Sequence, residues 1–135
     1  MKRDMDLVRK ILFSIEEKYI DVALYNLQIE GYDKKTIAYH CALLEEGGYI
    51  SDYKGQYAGD GLCTFGVGRL TWEGHEFLDQ IRDDTVWNNT KKTIKEKALP
   101  FIFDVVKSIS SGILTGMIKS ACYWPPDDMF DGRSG

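Results

Sequence analysis

The chain has 135 residues, 44% of them hydrophobic and 28% charged, which fits one globular domain with an appendage and excludes a disordered polyelectrolyte. No basic stretch followed by an apolar run opens it, so no secretory signal is expected. Cys41, Cys63 and Cys122 match neither a disulfide framework nor a zinc pattern, which suits a reducing cytoplasm. The formal net charge of −4 is uneven: Met1 to Thr85 holds 10 Lys and Arg against 16 Asp and Glu, and the remainder holds 7 against 5. An acidic front half is a handicap for binding nucleic acid, whose affinity comes mostly from phosphate neutralisation. A local basic face can still outweigh it.

Asp4 to Lys18 is the first expected helix, with Leu7, Val8, Ile11, Leu12 and Ile15 on one apolar stripe. Asp4 and Asp6 suit its N-terminal dipole. Ile20 to Ile29 is rich in β-branched and aromatic residues, and its second half reads as a short strand. After the turn Glu30-Gly31-Tyr32-Asp33, Asp33 is placed to cap a helix over Lys34 to Glu46, whose inner stripe is Ile37, Cys41 and Leu44. Gly47-Gly48 stops that helix as a left-handed cap followed by a bend. Tyr49 to Lys54 reads as a strand, Gly55 to Gly61 as a loose tip, and Leu62 to Leu70 as the returning strand. Gly66 and Gly68 suggest a bulge or a weak edge there, not a central strand.

Thr71 is expected to cap a third helix running to about Asp84 and burying Phe77, Leu78 and Ile81. Val86 to Lys97 reads as a basic helical segment holding Lys91, Lys92, Lys95 and Lys97. Pro100 marks a break before an apolar helix from Phe101 to roughly Ala121. The end, CYWPPDDMFDGRSG, is expected to be poorly ordered. The fold class is therefore α+β: a winged-helix-like core (helix, strand, helix, hairpin, helix) followed by a C-terminal helical extension. The domain bounds are 1–85 for the core, 86–121 for the extension and 122–135 for a flexible tail. The Tyr49 to Leu70 hairpin is the wing, and Lys34 to Glu46 holds the place of a recognition helix. A full helix-turn-helix needs one more helix before it, and Ile29 to Asp33 is too short to supply one.

The blocks MKRDMDLVRKIL, IEGYDKKTIAYHCALLEEGGYI and RLTWEGHEFLDQIRDDTVW resemble the signature blocks of an uncharacterised domain-of-unknown-function family common in phages and prophages of bacteria. The resemblance extends to about Lys107, and the residues from about Cys122 do not share it. It implies a small phage-associated protein with a winged-helix-like core, and it brings no catalytic residue.

His75, flanked by Gly74 and Glu76 and followed by Asp79, Asp83 and Asp84, invites a metal or acid–base reading. A helical zinc-protease motif needs a second histidine four residues on, and Asp79 stands there. The stretch is better explained as a Thr71 cap, a Gly74 that lets the helix pack closely, and carboxylates on a solvent face. Cys41 lies on a buried stripe, where a thiol is an inert small hydrophobe, and Gly66-Val67-Gly68 lacks the lysine and helix of a phosphate loop. No catalytic residue, metal ligand or cofactor is assigned, and an enzyme is not expected.

Two binding readings remain. Lys34, Lys35, Thr36, Tyr39 and His40 lie toward the N-terminal end of the helix in the recognition position, and Lys54 and Arg69 on the wing could meet phosphates, so duplex DNA is the first expected partner. The second is a host or phage protein, bound or inhibited through an acidic surface that imitates DNA. The C-terminal helix has the length of a membrane span, but Asp104, Lys107, Lys119 and four serines make it too polar for one. Phe101, Val105, Ile109, Gly112 and Gly116 are instead expected to build a homodimer, the two glycines allowing close approach.

Overall fold

The structure, a computed structural model, describes residues 1–121; the expected tail lies outside the described residues. Their elements are helix α1 (Met5–Lys18), strand β1 (Leu24–Tyr25), helix α2 (Lys34–Glu46), strands β2 (Tyr53–Ala58) and β3 (Gly61–Val67), and helices α3 (Trp72–Gln80), α4 (Asp84–Glu96) and α5 (Phe103–Ala121). The fold is α+β, with a three-stranded antiparallel sheet in the order β1-β3-β2. The chain forms two compact units, Met1–Asp79 and the part from Gln80 onward.

The first unit is built on α1 and α2. Leu7, Val8, Ile11, Leu12 and Ile15 are all buried, each burial stabilising by about 1.5–3 kcal/mol. They share the core with Ile37, Cys41 and Leu44 of α2, Ile50, Phe65, Val67 and Leu70 of the hairpin, and Phe77 and Leu78 of α3. Asp4 lies just outside α1 as its cap, its Oδ1 accepting from the amides of Asp6 at 2.9 Å and Leu7 at 3.2 Å. Asp33 caps α2 as expected, accepting from the Thr36 amide at 2.8 Å. That helix ends in a Schellman motif, with the Tyr49 amide on the Leu44 carbonyl and the Gly48 amide on that of Glu45. The left-handed residue is Gly48 (φ +83°), while Gly47 keeps helical angles.

The hairpin departs from expectation in three ways. The tip is only Gly59-Asp60, because pairing continues to Ala58↔Gly61. The first strand starts at Tyr53, with a single bridge at Ile50↔Leu70 below it. Strand β3 is central, although it carries Gly66. A Cβ at Gly66 would come within 3.0 Å of the Tyr25 ring, so the glycine admits that ring across the sheet. Gly68 lies beyond the strand, its amide bonding the Asp52 carbonyl at 2.9 Å. The irregularity in pairing falls instead at Gln56/Tyr57, where Gln56 meets Thr64 and Tyr57 meets Leu62, so Cys63 is the extra residue.

Thr71 starts α3 by accepting from the Gly74 amide at 3.1 Å. Gly74 is buried against the Tyr49 carbonyl, where any Cβ would collide. The helix expected to run to about Asp84 is shorter, and the segment expected from Val86 begins at Asp84. Helix α3 stops at Gln80 because Asp83 accepts from the Val86 amide at 3.1 Å and opens α4 as its cap. The second unit packs α4 on α5, burying Val86, Trp87, Ile94 and Val106. Its buried hydroxyls are satisfied locally, Thr90 on the Val86 carbonyl at 2.7 Å and Ser110 on that of Val106 at 2.6 Å. Gln80 donates to Ser110 Oγ at 2.8 Å.

Candidate nucleic-acid interface

The first two turns of α2 stand against the hairpin. Lys34 and Lys35 are exposed, and Tyr39 is 40% exposed. Lys34 does not swing freely: its Nζ donates to the Cys63 carbonyl at 2.6 Å. That carbonyl belongs to the extra residue of the bulge, so the lysine supplies a hydrogen bond at the point where the ladder is disrupted. Lys35 reaches over the hairpin end, with its Nζ 3.7 Å from where a Cβ on Gly61 would stand.

Between α2 and the hairpin lies a cleft of about 260 Å³, lined by Met1, Lys35, Ala38, Tyr39, Tyr53, Tyr57, Gly61 and Leu62. Tyr53 and Tyr57 converge over Gly55, where a Cβ would come within 2.9 Å of the Tyr53 hydroxyl and 3.1 Å of Tyr57. Tyr53 stacks on Phe65 at 6.1 Å between centroids. Burial, then a hydrogen bond to Tyr57, pushes the Tyr53 phenol well above its ordinary value, so it stays neutral. Tyr57 is 69% exposed and forms the outer lip. The spacing Tyr53-x-Gly55-x-Tyr57 could have shown this from sequence, since period two puts all three on one strand face.

His40 is removed from the expected interface, because it is fully buried and both ring nitrogens are engaged. Nε2 accepts from the Asp4 amide at 2.8 Å, and Nδ1 faces the Thr36 carbonyl at 2.8 Å, which fixes the Nδ1-protonated neutral tautomer. Asp4 also accepts from the Tyr32 hydroxyl at 3.1 Å, so His40 is a structural tie between α1, α2 and the turn before α2. Thr36 is half-buried, with its carbonyl spent on His40. The same tie brings the chain start alongside α2: Met1 lines the cleft, and exposed Lys2 and Arg3 lie between it and Asp4.

The two residues expected on a wing lie elsewhere. Lys54 alternates with the tyrosines, so it sits on the opposite sheet face, beside Ala23, Tyr25, Asp52 and Gly66 around a cleft of about 140 Å³. Arg69 donates to the Leu70 carbonyl at 3.0 Å and lines a cleft of about 70 Å³ with Glu16, Tyr19 and His75. Residues 26–33 carry no helix, and a larger cleft of about 560 Å³ opens there, lined by Lys18, Glu30, Tyr32, Lys34 and Ile37 among others. On α5, Phe101 packs on Trp87 at 5.8 Å, just before the helix begins, and Val105 and Ile109 are half-buried. Gly112 and Gly116 are exposed, and a Cβ on either would meet nothing within 4 Å.

Among the described residues no three His, Cys, Asp or Glu side chains converge as a metal site, and no helix is long and apolar enough to cross a membrane. Cys41 is buried and its thiol is pushed up to about 12 by that burial. His75 is exposed, as are Asp79, Asp83 and Asp84.

Comparison with known proteins gives two matches. The family described as "Hypothetical protein (DUF2513)" matches residues 2–100. An uncharacterized protein of Haemophilus influenzae (strain Rd) is 38% identical over 119 residues, which cover 87% of this chain and 99% of that protein. No solved structure matches.

Proposed function

The chain belongs to the hypothetical-protein family DUF2513, and from that premise we propose that it is a non-enzymatic, winged-helix-type nucleic-acid-binding accessory or regulatory protein. The observation that carries this reading is the juxtaposition of Lys34, Lys35 and Tyr39 on the first turns of α2 with Tyr57 of the hairpin. Two ammonium groups at a helix start, beside a hairpin, form the local positive surface that phosphate contact requires. Asp33 and Asp60 lie close by in the chain and limit it. The resemblance of the sequence blocks to phage and prophage proteins, and a cytoplasmic setting in which Cys41 and Cys63 remain free thiols, go with this reading. Retardation of labelled DNA, duplex and single-stranded, across a salt series tests it. Binding that weakens steeply with salt and is reduced by Lys35→Glu is the expected result; absence of binding at low salt overturns it.

A second reading has its own observation. Trp72 is 75% exposed at the start of α3, on the helix that also exposes Glu73, Glu76 and Asp79. A large exposed aromatic among carboxylates is a suitable anchor for a host or phage protein with a basic surface. Capture of one stoichiometric partner that is lost with Trp72→Ala is the result this reading expects, and equal capture by the variant removes its basis.

Self-association through α5 accompanies either reading, supported by exposed Met117 and Ile118 beside Gly112 and Gly116. Light scattering is expected to give a dimer mass that falls to the monomer in Gly112→Glu with Gly116→Glu. A monomer mass for the unaltered chain would exclude it.

A further inference from the structure

The cleft between α2 and the hairpin has a shape and lining that duplex binding leaves unused. Tyr39 and Ala38 line it from α2, Tyr53, Tyr57 and Leu62 from the hairpin and Met1 from the chain start, and Lys35 stands beside the hairpin end. At about 260 Å³ it falls short of the roughly 300–1,000 Å³ typical of sites for drug-sized ligands. The space therefore suits a group no larger than a single ring system. Tyr53 is held in place by stacking on Phe65 and by Tyr57, so one wall is formed before any ligand arrives. Tyr39 meets His40 edge to face at 5.7 Å, and His40 is itself anchored at both nitrogens, so the opposite wall has a fixed neighbour as well.

We propose that this cleft receives one unpaired nucleobase of a single-stranded nucleic acid, stacked against Tyr57 and Tyr39, with Lys35 on the adjoining phosphate. The inference rests on the nucleic-acid reading above and specifies its ligand. Base–aromatic stacking tolerates every base, since each has a π face, so a preference for unpaired strands with little sequence selectivity follows. A duplex hides those faces, and the features that remain for duplex readout are reduced. His40 is inside the core, Lys34 is tied to Cys63, and Lys54 lies on the other sheet face.

The test is fluorescence anisotropy with a labelled oligonucleotide of about 12 nucleotides, within the site sizes single-strand binders cover, and with its duplex at the same salt. The single strand is expected to bind tighter, and Tyr57→Ala to lower its affinity about tenfold more than that of the duplex. Tyr57→Phe is expected to keep the binding, because the ring does the stacking; equal loss in Phe and Ala variants overturns the stacking assignment. Tyr57 is largely exposed, so both variants are expected to fold, which far-UV circular dichroism checks. Duplex binding equal to or tighter than single-strand binding, with no selective effect of Tyr57→Ala, overturns this inference and leaves the broader reading standing. No binding of either probe at low salt overturns both.

Discussion

Helices α2 and α3 are each started by a capping side chain, Asp33 on Thr36 and Thr71 on Gly74, and each gives its inner face to the same core. Their outer faces differ in sign and in aromatic type. Early α2 shows Lys34, Lys35 and Tyr39; α3 shows Trp72, Glu73, Glu76 and Asp79. The inner faces are dictated by burial, since Ile37, Cys41 and Leu44 or Phe77 and Leu78 must leave water for the unit to fold. Nothing in folding demands that one outer face be basic and the other acidic. That difference is where binding function can be sought.

The strongest way to break the comparison is to disturb an inner face. Gly74→Ala drives a Cβ into the Tyr49 carbonyl, a backbone atom that cannot rotate aside, so urea denaturation should show a loss at the upper end of the about 1–3 kcal/mol typical of overpacking. His40→Leu should follow closely. It keeps the bulk but leaves the half-buried Asp4 amide without its acceptor, and a loss within the about 1–3 kcal/mol range of an unsatisfied donor is expected. An unchanged midpoint for His40→Leu would refute its role as a tie. Trp72→Ala, on an outer face, should change stability by less than about 0.5 kcal/mol while removing any protein partner held there.

The smallest effect concerns acid. Hydrogen bonds from Thr36, and to a lesser degree the charge of Lys35, hold the Asp33 carboxyl below its ordinary value. A depressed carboxylate contributes stability that is fully present above its unfolded value and is lost as pH falls through the lowered folded value. Asp33→Asn retains a capping oxygen without the charge, so the acid limb of its stability curve should be slightly less steep than that of the unaltered chain. Identical acid limbs would show that the charge contributes nothing.

Much of this architecture could be read from residues alone. The α2 boundaries, its Asp33 cap and the Thr71 start of α3 followed from local chemistry. The position of the break between α3 and α4 did not, because Asp83 in a run of acids looks like a solvated charge until its oxygen is seen on the Val86 amide. Gly66 in the central strand was obscured because its reason, the Tyr25 ring, comes from a strand some forty residues away in sequence. His40 was legible in part. It stands three residues after Ile37 and four before Leu44, on the buried stripe, but its polar side chain suggested a surface role. What no local pattern could supply was Asp4, brought beside it from the start of the chain. Likewise Lys54 could be placed on the hairpin, while the face it shows depended on the register.

The central claim is that the face of α2 and the hairpin around Lys35 binds nucleic acid. The most direct measurement is the affinity of labelled nucleic acid for the intact chain and for Lys35→Glu over a series of salt concentrations. Binding that falls steeply with salt, with Lys35→Glu weaker and its logarithmic salt slope smaller by about 1, is the predicted result. Absence of binding at low salt, or affinity and slope unchanged by Lys35→Glu, would contradict it.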